Sequence, residues 1–153
     1  MKLYLMQHGK PVSKEEDSQR PLSNQGNNEV KKIAKFLGEQ SIRADSIIHS
    51  GKMRARQTAE IVASILNPDK APLERNSISP MDDVKSLADE IKEMQNDLMV
   101  IGHLPYLARL SSFLIIGSTS PSVVTFKQGG VLCLSRDNEF LWTISWMLVP
   151  EII

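Results

Sequence analysis

The stretch Lys2-Leu3-Tyr4-Leu5-Met6-Gln7-His8-Gly9 is an apolar run that ends in a reactive side chain and a glycine. It reads as a strand over residues 2–7 that presents His8 at its carboxyl end. Open α/β sheets bind ligands at that edge. A second apolar strand, Leu98-Met99-Val100-Ile101, ends the same way in Gly102-His103. Two histidines presented alike predict one site built from two strand ends.

The chain between and beyond them alternates strand and helix. Residues 10–22 are polar, contain Pro11 and Pro21, and read as a loop. Ser23 is placed to cap a helix over 24–39, its hydroxyl accepting from an early backbone N–H. Val30, Ile33, Ala34 and Leu37 recur there at helical spacing. A short strand at 45–49 and a helix at 52–66, ended by Asn67-Pro68, follow. A short strand is expected at 72–74, a helix at 82–95, the apolar strand at 98–102 and a helix at 105–116 opening on Pro105. The last third reads as strands at 122–126, 130–135 and 140–147. Gln128-Gly129-Gly130 is expected to turn between the first two, and Arg136 to Glu139 between the last two.

Early βαβ alternation implies parallel strands with helices on both faces. The late hairpins add antiparallel edge strands. The expected fold is a three-layer α/β/α sandwich over residues 1–153, one domain, with a mainly parallel central sheet. His8, Ser50 and His103 should converge at its C-terminal edge.

Composition narrows the function. The chain has 153 residues, 24% charged and 41% apolar, as in an ordinary soluble globule. Lysine plus arginine (18) balance aspartate plus glutamate (18), so net charge is zero. No whole-molecule field attracts nucleic acid or an anionic membrane. A single cysteine, Cys133, excludes an internal disulfide framework and fits a reducing compartment. The N-terminus lacks the basic-apolar-small pattern of a signal peptide, and a cytoplasmic location is expected.

Ser50-Gly51-Lys52-Met53-Arg54 follows a strand and opens a helix. A helix start offers unpaired N–H donors and the positive dipole end, which favour phosphate. Arg54, one turn in, can reach back over that end with a planar fork suited to a phosphoryl group. Lys52 and Arg56 read as solvated charges. A neutral His8 imidazole is a competent nucleophile toward phosphorus, and a protonated His103 could hold phosphoryl oxygens. His49 reads as structural. Metal binding by His8 and His103 is the competing chemistry; no third histidine or cysteine stands at ligand spacing near either, and the carboxylates at 15–17 are available but unpatterned. No metal and no cofactor is expected.

Strand-(Arg/Gln)-His-Gly, then Arg20-Pro21-Leu22-Ser23-x-x-Gly26, then Ser50-x-x-x-Arg54-Ala55-x-x-Thr58, then Val100-Ile101-Gly102-His103-Leu104-Pro105, resembles the histidine phosphatase superfamily. The short length and the Gly-His-Leu-Pro form resemble its small SixA-like phosphohistidine phosphatase branch, of phosphoglycerate mutase-like fold. The resemblance implies His8 as nucleophile and carrier of a phosphohistidine intermediate. It implies Arg54 and His103 as a clamp on the phosphoryl oxygens. Gln7, Arg20 and Ser50 become further phosphate-pocket candidates, and the implied substrate is a phosphohistidine-bearing partner protein.

The chain departs from the family at Gln7, where the motif is Arg-His-Gly. One positive charge is missing from the phosphate pocket. Lys10 could restore part of it but reads as solvated. The alternative reading is therefore a weakly active or inactive phosphate-binding regulatory module. No carboxylate follows His103, and Glu15, Glu16 and Asp17 read as a solvated loop. A site without a general acid suits a labile P–N donor better than a sugar phosphate ester.

Overall fold

The computed structural model describes residues 1–153. Its elements are β1 (Lys2–Gln7), α1 (Asn24–Glu39), β2 (Ser46–His49), α2 (Met53–Leu66), β3 (Leu73–Glu74), α3 (Lys85–Glu93), β4 (Leu98–Gly102), α4 (Tyr106–Ile116), β5 (Val131–Arg136) and β6 (Trp142–Leu148). A short 3-10 turn, Pro150–Ile152, follows. The strands form one sheet in the order β3-β2-β4-β1-β5-β6. β1, β2, β3 and β4 run parallel, and β5 and β6 are antiparallel. This is the expected α/β/α sandwich.

The period of two along a strand divides the core. On β1, Leu3 and Leu5 join the layer of α3 and α4, while Tyr4 and Met6 join the layer of α1 and α2. β4 does the same, with Leu98 and Val100 on one face and Met99 and Ile101 on the other. Both strands lie mid-sheet, so both of their faces must be apolar. In α1, Val30, Ile33, Ala34 and Leu37 are buried, and the Ser23 hydroxyl accepts from Gly26 N–H at 3.0 Å.

One expected strand is absent. Residues 122–126 join no ladder. β5 is already paired on both edges, with β1 and β6, so no edge remains for a hairpin partner. The segment instead runs over α4, where Val123 N–H bonds to Ser112 Oγ at 3.2 Å, and seals the core with Phe126. The turn at Gln128-Gly129 therefore leads into β5 from a loop. The 82–95 helix is shorter than expected because Asp82 and Asp83 are used before it: their carboxylates accept from Ser79 N–H (2.8 Å) and Lys85 N–H (3.0 Å).

Gly26 sets how closely α1 approaches the segment after His8. A Cβ there would overlap the Lys10 carbonyl oxygen. That oxygen already accepts from Ser23 N–H and Ser23 Oγ, both at 2.9 Å. Gly26→Ala must push the two segments apart. We expect a loss of about 1–3 kcal/mol, the usual cost of overpacking, read as a lower midpoint in urea unfolding. An unchanged midpoint would show that the contact is soft.

Candidate active site

β1 and β4 end side by side. Gln7 pairs with Gly102, and His8 N–H donates to Gly102 O at 3.0 Å. This puts His8 and His103, the next residues, on one edge, with ring centroids 5.0 Å apart and planes tilted by 52°. Both are buried, at 6% and 2% exposure.

His8 is held in one tautomer. Its Nδ1 lies 2.7 Å from the Gly9 carbonyl oxygen. A carbonyl only accepts, so Nδ1 carries the proton and Nε2 carries the lone pair. That lone pair accepts from Arg54 Nε–H at 3.2 Å. The base and the expected anion-binding arginine are thus in direct contact. Gly9 is fixed in turn: its N–H donates to Thr58 Oγ1 at 3.1 Å, and Thr58 Oγ1 donates to the Arg54 carbonyl at 2.7 Å. Thr58 is fully buried. It ties the strand that carries His8 to the helix that carries Arg54, a role no spacing rule assigns.

Ser50 meets His103. Its Oγ lies 2.5 Å from His103 Nε2. His103 Nδ1 is buried without a partner. Arg20, on a left-handed backbone at φ 48, donates Nε–H to Val12 O at 3.3 Å. Its charge acts on both His8 and Arg54, which places it in the same field. Gln7 is nine-tenths buried, and its Oε1 has no partner.

Other candidates fall outside the cluster. Lys10 Nζ is bonded to Gln25 Oε1 at 3.1 Å. Glu15, Glu16 and Asp17 are exposed. Lys52 and Arg56 are exposed, and Arg56 pairs with Glu60 on its own helix. His49 accepts from Gly51 N–H through Nδ1 at 3.1 Å. Sequence reasoning passed over Glu74, whose carboxylate packs against Gly51 at the rim of the site. Its position at the carboxyl end of β3 was the available signal. No group of three or more His, Cys, Asp or Glu side chains converges as metal ligands would.

The electrostatics are those of a desolvated cationic site. Burial pushes the His8 pKa down to about 4, with Arg54 and Arg20 acting in the same direction and the Gly9 carbonyl opposing. Burial first, then His8 and Arg54, brings His103 down to about 3. His103 is therefore neutral at pH 7 in the unliganded chain. A bound phosphoryl dianion favours the charged imidazoles and raises both values.

These shifts predict a pH dependence. In the unfolded chain each histidine takes up its proton near 6.5; the folded values are about 4 and about 3. The unfolded state binds more protons in between, so this contribution is fully present above about pH 6.5 and is lost as pH falls toward 4. Urea unfolding at pH 7.5, 6 and 5 should show falling stability, with a shallower slope in His103→Gln. Equal slopes would mean that His103 is not held neutral.

Residues 3–77, which include His8, Arg20, Ser50 and Arg54, match the model of the histidine phosphatase superfamily (branch 1). Over these residues the chain resembles that superfamily. It is 27% identical over 155 residues to phosphohistidine phosphatase SixA of Escherichia coli (strain K12), covering 98% of this chain and 94% of that protein. It is 28% identical over 168 residues to an uncharacterised Picosynechococcus protein, covering 98% and 100%. Among solved structures, the protein histidine phosphatase SixA complexed with tungstate superposes with a TM-score of 0.85 at 27% identity, covering 98% of this chain and 97% of that one. The likeness to the SixA fold thus runs the length of the chain, including the quarter beyond Ile116. No helix is long and apolar enough to cross a membrane.

Proposed function

We propose that this chain is a phosphohistidine phosphatase that works through a phosphohistidine intermediate on His8. The observation that carries the reading is the fixed His8 tautomer, with Nδ1–H on the Gly9 carbonyl and the Nε2 lone pair toward Arg54. The similarity to SixA and the tungstate held by the solved neighbour support it, since tungstate is an oxyanion of phosphate shape.

His8 Nε2 forms a bond to phosphorus as the substrate's P–N bond breaks, and that bond's electron pair leaves with the substrate imidazole. The phosphorylated His8 ring is cationic, with its Nδ1–H stabilised by Gly9 O. Water then attacks phosphorus, the His8 N–P bond breaks, and the ring returns with its lone pair while the water gives up a proton. Arg54, Arg20, the α2 start and His103, steadied by Ser50, hold the phosphoryl oxygens, and Gln7 adds a neutral amide donor. Positioning and charge stabilisation supply most of the rate in such transfers.

Two features support a protein-borne phosphohistidine. His8, Arg54 and His103 stand at the sheet edge outside the five main cavities, a position that suits a substrate presented on a protein surface. No carboxylate is hydrogen-bonded to these three residues, and a protonated imidazole leaves without an enzyme acid. The test is phosphate release from a phosphohistidine protein and from an alkyl phosphomonoester. A higher kcat/KM on phosphohistidine is expected. A higher value on the ester would overturn the substrate class. Phosphate binding without turnover of either would make the chain a binding module.

A further inference from the structure

The segments at the carboxyl edge of the sheet differ in character. β1, β2, β3 and β4 run parallel, so the segments that follow them emerge on the edge that holds His8 and His103. The segment after β1 is charged, with Lys10, Lys14, Glu15, Glu16 and Asp17 exposed. Each of the other three exposes one long apolar side chain: Met53 after β2, Met81 after β3 and Leu104 after β4. β3, β2 and β4 are neighbours in the sheet, with β1 beyond β4. The apolar side chains therefore share one half of the edge, and the charged segment takes the other.

Two of the three are next to site residues in the chain. Leu104 follows His103 and Met53 precedes Arg54, so each Cα stands about 3.8 Å from that of a site residue. Leu104 is 39% exposed and Met53 37%, whereas His103 is enclosed. Arg54 Nε lies 3.2 Å from His8 Nε2, and the His8 and His103 rings are 5.0 Å apart. Met53 and Leu104 thus flank the reacting atoms. Met81 extends the strip outward. The carbonyl of Asp82 accepts from Arg109 Nη1 at 3.3 Å, and Arg109 N–H bonds to Pro105 O at 3.0 Å, which sets Met81 beside the start of α4.

We propose that Met53, Met81 and Leu104 form an apolar docking rim for the substrate protein, which covers them with apolar side chains beside its own phosphohistidine. The inference rests on the phosphohistidine reading above. Exposed apolar side chains gathered at one edge and bordered by charge mark an interaction surface, whereas single scattered ones do not. Methionine suits the task, because its unbranched thioether repacks against surfaces of different shape. The occupant follows from the site that the rim borders. That site carries the Arg54 and Arg20 charges and takes a phosphoryl dianion. A protein that brings the dianion and apolar surface together satisfies both. A small phosphoryl donor fills the centre and leaves the rim in water, so the rim acts on KM for the protein substrate rather than on the chemical step.

The experiment compares kcat/KM for a phosphohistidine protein and for free phosphohistidine, which breaks the same P–N bond without a protein around it. It uses the full chain, the triple variant Met53→Ser, Met81→Ser, Leu104→Ser, and Leu141→Ser as a control. Leu141 is 59% exposed but sits at the β5–β6 turn, on the opposite edge of the sheet. The triple variant should lower the protein-to-free ratio about 10- to 100-fold, with most of the change in KM for the protein. Leu141→Ser should hold the ratio within about threefold of native. A triple variant within threefold of native, or an equal fall in Leu141→Ser, would overturn the rim and leave the phosphatase reading standing. A native dimer that sediments as a monomer in the triple variant, with the ratio unchanged, would give the rim to a second copy instead. Turnover of neither substrate by the native chain would overturn both readings.

Discussion

His8→Ala loses turnover by a factor on the order of 10,000 or more, the scale seen when a covalent nucleophile is removed. The substitution deletes the only imidazole whose lone pair is fixed outward by a backbone carbonyl, with Nδ1 on Gly9 O at 2.7 Å. His103 does not replace it. Its Nε2 is engaged with Ser50 Oγ, and its Nδ1 is enclosed. The variant keeps Arg54, Arg20 and His103, so inorganic phosphate should still raise its unfolding midpoint. That retained binding separates lost chemistry from lost folding. Turnover within tenfold of native would remove His8 from the mechanism.

Arg54→Ala should lower kcat by about 100- to 1,000-fold, the cost of removing one preorganised donor from an oxyanion site. The side chain has two tasks. Its Nε–H rests on the His8 lone pair at 3.2 Å, and its remaining N–H groups are free for phosphoryl oxygens. Burial and Arg20 both lower its pKa, which marks a cation that gains from meeting an anion. Arg54→Lys restores charge but not the fork, and should recover only part of the loss. Phosphate affinity should fall in both variants. Full activity in Arg54→Lys would show that a point charge suffices.

Much of this was legible because it rests on local rules. The alternation in β1 and β4 announced strands buried on both faces, and the parallel core followed. Ser23 capped its helix as read, and the helix start after Ser50 brought Arg54 to the sheet edge where His8 and His103 were expected. What escaped was non-local. Residues 122–126 have strand composition, but pairing depends on a free edge, and β5 has none. Arg20 could be placed only in a loop. A bridge between Pro11 and Leu22 folds that loop back and brings the guanidinium into the field of His8. Thr58 stood in a recognised motif, yet its task of joining Gly9 to α2 needs coordinates. The neutral state of His103 in the unliganded chain follows from its burial, which residue type alone does not reveal.

The most direct test is a rapid-quench labelling experiment. The native chain is mixed briefly with a radiolabelled phosphohistidine protein, denatured, digested and mapped. The account predicts acid-labile, base-stable phosphate on His8, bonded through Nε2, and none in His8→Ala. Turnover with no label on His8, or with label on His103 or His49, would contradict it.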